Sequence, residues 1–243
     1  MKVTWEELGW ERLADGVGRC RLPGWDCTVG LIAGDGAALV VDAGSSLAEG
    51  ARLRTEARWL AGGDVTHLAL THPHFDHVFG AAAFPDAEVF GPVGMDAVFD
   101  GRHAREELHR DAVGHGLAPD AAREAVRALT GPGRAVSGEW TLDLGGGRQV
   151  LLANVGPGHT AHDLAVLVPG GPEVVFCGDL VEESGEPQAG SDAVPSRWPA
   201  ALDRLLELGG PDALYVPGHG AVVDAGFVRR QRDTLAARFG VSR

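Results

Sequence analysis

Short apolar runs separated by glycine-containing turns organise this chain. Residues 28–32 and 37–41 are two such runs around Gly34-Asp35-Gly36, which predicts a β-hairpin. The second run ends in Asp42-Ala43-Gly44. Ser45 or Ser46 then caps a predicted helix reaching about Ala61, with Leu53, Ala57 and Leu60 on one face. Residues 65–70 predict a strand that runs into His72-Pro73-His74-Phe75-Asp76-His77, with a short helix from Asp76 to about Phe84. Val89-Phe90 predicts another short strand. From Gly94 to about Thr130 the pattern turns polar, charged and helical, broken by Gly114, Gly116 and Pro119. It predicts an inserted pair of helices outside the core.

The second half follows the same outline. Residues 148–153 predict a strand, and residues 164–168 and 174–176 flank Pro169-Gly170-Gly171-Pro172 as a second hairpin. That hairpin ends in Gly178-Asp179. A helix follows Ser196, with Leu202, Leu205 and Leu206 facing inward; residues 214–216 predict a strand and 225–239 a last helix. Strands of both halves alternate with helices, which implies two layers of sheet with helices outside. No interdomain linker interrupts the pattern, so residues 1–243 read as one domain with the helical insert at about 94–130.

Composition narrows the partners more than the fold. Apolar residues at 44% and charged residues at 23% are ordinary for a globular protein. A formal net charge of −13 disfavours nucleic acid and anionic membranes, both of which select basic surfaces. Residues 1–10 carry no apolar signal-peptide core, and no window reaches the length of a membrane span. Cys20, Cys27 and Cys177 form neither a CxxC zinc pattern nor a disulfide framework. A reduced, cytoplasmic protein acting on a small molecule is expected; monomer and homodimer both stay open.

The chemistry concentrates in residues 72–77. His72, His74, Asp76 and His77 directly follow the apolar run Leu68-Ala69-Leu70. Each is costly to desolvate alone. A divalent cation removes that cost, because imidazole nitrogen and carboxylate oxygen are natural metal donors. Two pairs of ligands in one tight loop can serve two ions, typically ~3.5–4 Å apart. Further donors stand in glycine-rich turns: His159 in Gly156-Pro157-Gly158-His159-Thr160, Asp179 after Cys177-Gly178, and His219 in Pro217-Gly218-His219-Gly220. His103, His109 and His115 lie in the insert and read as solvated or substrate-facing. Cys177 reads as a small buried apolar residue. No G-x-S-x-G elbow supplies a serine nucleophile.

The order His-x-His-x-Asp-His, then Gly-His-Thr, Gly-Asp and Gly-His-Gly resembles the metallo-β-lactamase-fold superfamily of hydrolases, over the stretch from Asp42 to His219. The resemblance implies an α/β fold, a four-layer αββα sandwich with the site at one edge between the sheets. It implies two divalent ions, most simply Zn²⁺, with iron and manganese compatible with the same donors. One ion would take His72, His74 and His159, the other Asp76, His77 and His219, with Asp179 bridging. Asp42 would orient the ligand loop without binding metal, and Asp76 would also accept a proton during catalysis. The two cations would acidify a water, and the resulting hydroxide would attack an electrophilic carbonyl.

Within that superfamily, β-lactamases with a cysteine ligand place Cys where this chain has Asp179. Glyoxalase II matches the ligand set, but only 24 residues follow His219, too few for its glutathione-binding extension. Acyl-homoserine lactonases use an active-site tyrosine, and the sole tyrosine here, Tyr215, lies in the strand before His219. The expectation is a metallo-hydrolase of an ester, thioester or lactone, with the insert as a lid over the metals. Three alternatives stand beside it: an iron-dependent oxidoreductase or sulfur-compound dioxygenase, β-lactamase-like amide hydrolysis, and a binding protein that has lost its chemistry.

Overall fold

Side-chain alternation along the strands sorts the apolar residues into three separate cores. The computed structural model describes residues 4–241. The first sheet runs β1 (Trp10–Ala14), β2 (Val17–Arg21), β3 (Thr28–Ala33), β4 (Ala38–Val41), β5 (His67–Ala69), β6 (Glu88–Pro92) and β7 (Arg134–Val136), in that spatial order. It is antiparallel as far as β4 and parallel from there to β7. The second sheet orders β8 (Glu139–Asp143), β9 (Gln149–Asn154), β10 (Leu164–Val168), β11 (Val174–Glu182) and β12 (Leu214–His219). Only its β11–β12 pair is parallel.

Strand β4 shows how the layers form. Ala38 and Val40 point outward to join Leu53 and Ala57 of α1 (Leu47–Ala61), while Leu39 and Val41 point inward with Val166 and Phe176 of the other sheet. Helices α2 (Phe75–Val78), α3 (Met95–Phe99), α4 (Arg102–Gly114) and α5 (Pro119–Ala128) also lie in the first sheet's outer layer. Helices α6 (Trp198–Gly209) and α7 (Ala225–Phe239) cover the second sheet through Trp198, Leu202, Leu205, Val228 and Leu235. The result is the expected four-layer αββα order. Among the described residues no helix is long and apolar enough to cross a membrane. The three cysteines are free and buried.

Local chemistry sets the element ends near the site. Ser46 caps α1 by accepting from Glu49 N, and Gly62 ends it at φ 73°. Gly50 of α1 meets Gly80 backbone to backbone, so a Cβ on either would collide with the main chain. That contact seats α1 directly on the turn after α2. The helix predicted from Asp76 stops at Val78, with Gly80 N donating to Gly44 O at 3.1 Å outside the helix, and a short 3-10 turn follows at Ala81–Ala83.

The structure departs from the sequence expectations in three places. Four strands stand outside the expected set: β1, β2 and β7, whose apolar pattern Glu11, Arg12, Arg19 and Arg134 interrupt, and β8, where Trp140 and Leu142 alternate with polar residues. Strand β11 does not end at Asp179 but continues through it to Glu182. The insert is three helices, not two, and it is core. Met95, Phe99, Leu108, Ala112, Ala122 and Ala125 share one buried cluster with Leu31 and Leu53. Its inward face is narrow and largely alanine, so the Arg, Asp and Glu on the other faces dominate the composition. It packs beside α1 and α2, through α5 and α4 respectively. The α4–α5 turn approaches the site, where the His115 ring stacks on Phe75 at 5.7 Å and the His115 carbonyl accepts from Trp25 Nε1 at 3.2 Å.

Phe99→Ala should therefore lower the unfolding free energy by about 3–5 kcal/mol, the cost of emptying a packed core position, as read by urea denaturation. A detached flap would show almost no change.

Candidate metal centre

The parallel neighbours β4 and β5 end side by side, which sets Asp42 against Thr71 and His72. Asp42 sits at φ 62°, a strained backbone for a residue with a side chain. Its carboxylate compensates by accepting from Thr71 N, Thr71 Oγ1 and His77 Nδ1, each at 2.8 Å. Ala43 N also donates to His77 O at 2.7 Å, closing the ligand loop on β4. Asp76 and His77 lie in the first turn of α2. His159 stands in the β9–β10 turn, where the Asp163 carboxylate accepts from Thr160 N at 3.0 Å and Thr160 Oγ1 at 2.8 Å. Burial pushes the Asp163 carboxyl up to about 7.

Asp179 needs an irregular strand. The β11–β12 register shifts on either side of Gly178, which adopts φ 53°. A Cβ on Gly218 of β12 would collide with Asp179 Oδ1, so glycine there makes the space that the carboxylate fills. His219 ends β12 and is held by its neighbours: Glu183 N donates to His219 O at 3.0 Å, and buried Arg19 donates to Gly220 O at 2.7 Å.

All seven sequence-predicted donors meet around Asp179. Its Oδ2 lies 3.2 Å from His219 Nε2, 3.5 Å from His159 Nε2 and 3.6 Å from His72 Nε2. Its Oδ1 lies 3.1 Å from His77 Nε2, yet without the alignment of a hydrogen bond. Asp76 Oδ2 is 3.4 Å from His219 Nε2 and 3.8 Å from His77 Nε2. His74 enters through Nδ1, 3.0 Å from His159 Nε2.

The outward nitrogens reveal the protonation pattern. His77 Nδ1 donates to Asp42 at 2.8 Å, His159 Nδ1 to Gln188 O at 3.1 Å, His219 Nδ1 to Trp25 O at 2.7 Å and His74 Nε2 to Asp192 at 3.0 Å. His72 Nδ1 lies 2.9 Å from Thr71 Oγ1, whose own proton goes to Asp42, so the imidazole is the donor there as well. Five acceptors thus hold five outer N–H groups. A neutral imidazole with one nitrogen protonated presents a lone pair on the other. Those lone pairs point at one another: His74 Nδ1 and His159 Nε2 at 3.0 Å, His77 Nε2 and His219 Nε2 at 3.5 Å. His72 Nε2 and Asp179 Oδ1 are buried with no hydrogen-bond partner. Only a positive charge among them relieves this arrangement, and the donor types suit divalent metals. Among the described residues three sets keep their ligand atoms within 4.8 Å: His72/His74/His159/Asp179 and His77/Asp179/His219, which share Asp179, and Cys27/Asp76/His77, which shares His77 with the second.

The electrostatics divide the site. Burial drives His159 down to about 4 and His72 well below the usual imidazole range. Burial also opposes charge on His219, but Asp179 outweighs it and lifts the group to about 9. His77 is likewise raised well above its usual range, the surrounding Cys27, Asp179, Asp76 and Asp42 outweighing its burial. Burial pushes Asp179 up, yet His77, His219 and His72 hold it well below the ordinary carboxylate range. Without a cation, protons on His77 and His219 take its place.

Sequence reasoning missed several participants. Cys27 Sγ donates to Asp76 O at 3.1 Å and lies 3.7 Å from His77 Nε2, its thiol pushed up to about 12 by burial. A single cysteine in a hairpin loop gives no sequence signal. Gln188 and Trp25 act through backbone carbonyls, which no side chain announces. Asp192 lies in the β11–α6 loop outside every motif. On the insert, His103 is exposed and His109 half-buried, neither among the clustered donors, while the exposed His115 stacks on Phe75 of the ligand loop. His162 Nδ1 donates to Val93 O, and Tyr215 is buried among the second sheet's helix-facing residues, its hydroxyl donating to Gly210 O at 2.7 Å.

Comparison with known proteins agrees with this architecture. The sequence model of the metallo-β-lactamase superfamily matches residues 22–219. "Metallo-beta-lactamase domain-containing protein 1" of Xenopus laevis is 29% identical over 199 residues, covering 80% of this chain and 71% of that protein. A hydroxyacylglutathione hydrolase of Acidiphilium cryptum is 31% identical over 190 residues, covering 78% of this chain but only 62% of its own length. Among solved structures, a metallo-β-lactamase from Pontibacter korlensis superposes with a TM-score of 0.70 at 20% identity, covering 93% of this chain and 97% of its own. The FIM-1 metallo-β-lactamase of Pseudomonas aeruginosa, in its mono-zinc form, superposes with a TM-score of 0.69 at 17% identity, covering 96% of each chain. With its family model spanning every motif from the β2–β3 loop to His219, this chain belongs to the metallo-β-lactamase superfamily.

Proposed function

We propose that this protein is a hydrolase that uses two divalent metal ions, zinc in the first instance, to cleave an ester, thioester or lactone of a small molecule. One observation carries the reading: five imidazoles, each tied to an acceptor through its outer nitrogen, turn their inner nitrogens toward one another, and four of these lie within 3.6 Å of one buried carboxylate. His72, His74 and His159 would hold one ion, and Asp76, His77 and His219 the other, with Asp179 shared. When bound, such ions act as Lewis acids and supply a nucleophilic hydroxide from water near neutral pH.

The protein's own groups do the rest. Asp42 and Thr71 fix the tautomers of His77 and His72, so that each presents Nε2 to the site. Asp76 places Oδ2 beside His77 and His219, where it can accept a proton from the attacking water and pass it to the departing alkoxide or thiolate. The buried setting of His72, His77 and His159 keeps bulk water away and strengthens each of these charges. The name of the Acidiphilium cryptum relative supports the thioester class.

Chelation followed by gel filtration should abolish turnover across an ester, thioester and lactone panel, and Zn²⁺ should restore it. Full turnover in the chelated protein would refute the mechanism, and iron as the sole metal on elemental analysis would move the reading to redox chemistry. Asp42→Ala should weaken zinc binding about 10–100-fold, the usual cost of removing a ligand's hydrogen-bonding partner, in a competition titration against a chromophoric chelator. The raised His219 adds a pH dependence. It carries a proton below about 9, and a metal must displace that proton. Zinc affinity should therefore fall as pH drops from 9 toward 6, and binding should release protons, measurable by calorimetry in buffers of different ionisation enthalpy.

A further inference from the structure

The β11–α6 loop, residues 183–197, supplies two of the five outer acceptors from one segment: Gln188 O for His159 and the Asp192 carboxylate for His74. The loop is itself anchored. Val194 N donates to Gly158 O at 3.0 Å, beside His159, and Arg238 Nη1 donates to Pro187 O at 2.9 Å. His74 depends on this loop more than the other imidazoles do. It alone turns Nδ1 inward, so its outer nitrogen is Nε2, at the far end of the ring. Its side chain is 26% exposed, against 12% for His219 and 4% or less for His72, His77 and His159. Packing therefore constrains its rotation least, and the hydrogen bond to Asp192 must do more.

We infer that Asp192 is a positioning residue for His74. Its carboxylate holds the Nε2 proton at 3.0 Å, leaves the Nδ1 lone pair directed into the site, and fixes the ring's rotation. Asp192 thereby sets how tightly the His72/His74/His159 group grips its ion. This inference rests on the metal reading above. A half-exposed His–Asp pair that served only the surface would contribute little. Here the opposite ring nitrogen faces His159 Nε2 at 3.0 Å, so loss of the acceptor reaches the site itself.

The test compares zinc-loaded wild type with D192A, D192N and E186Q. Glu186 is exposed on the same loop, so its substitution removes the same charge without the contact. Zinc affinity is read by chelator competition, geometry by the visible spectrum of the cobalt-substituted protein, and folding by the thermal midpoint. D192A should bind one zinc about 10–100-fold more weakly, with an altered cobalt spectrum and an unchanged midpoint for the metal-free protein. D192N, whose amide oxygen can still accept from Nε2, should recover most of that affinity, and E186Q should match wild type. Wild-type affinity and spectrum in D192A would overturn the inference. So would an E186Q loss equal to that of D192A, because the cause would then be the loop's charge and not the contact. A wild-type protein that binds no zinc would sink the metal reading itself. Tight wild-type binding with an unchanged D192A would sink only the role of Asp192.

Discussion

The structure turns on one buried carboxylate. Asp179 is 9% exposed and stands within 3.6 Å of nitrogens from His72, His77, His159 and His219. A carboxylate in such a place is costly unless positive charge surrounds it. Everything near it is arranged to make that placement possible. Strand β11 breaks register at Gly178, and Gly218 leaves the volume that Asp179 occupies. The site lies where the two sheets meet because donors from both must reach this single group.

Those donors bind the site to the whole fold. His72 and His77 lean on Asp42 and Thr71 of the first sheet, and His219 leans on Trp25 of the β2–β3 loop. His159 and His74 lean on the loop after β11. The insert braces the assembly from outside, with α4 behind α2 and His115 holding Trp25. Distortion of any of these segments reaches an imidazole through one hydrogen bond. That is why a strained Asp42 at φ 62° is retained in an otherwise relaxed turn: its three acceptor contacts offset the backbone cost.

The imidazoles of the site differ in how they meet a proton. Burial, helped by neighbouring imidazoles, outweighs Asp179 and holds His72 and His159 low, whereas at His77 and His219 the surrounding negative groups outweigh burial and favour the charged form. A pair of apparently similar histidine sets is therefore electrostatically unequal. Asp179 chiefly raises His219, while Cys27, Asp179, Asp76 and Asp42 together raise His77.

The sequence by itself determined the ligand loop, the glycine-flanked donors and the layered alternation. Chemistry at those places is local: costly groups such as His72, His74, Asp76 and His77 stand together within six residues, and apolar runs such as 37–41 carry their own periodicity. Tertiary structure alone decided the rest. The alanine-lined face of the insert became core only when α1 and the first sheet were set against it. The edge strand β7 took its form from pairing with β6, about forty residues earlier in the chain, not from its own three-residue pattern. The acceptors behind the histidines include carbonyls of Trp25 and Gln188 and the carboxylate of Asp192, and their role exists only once chain folding brings them to a ring nitrogen. A backbone oxygen is the same on every residue, so no reading of side chains along the chain can single it out.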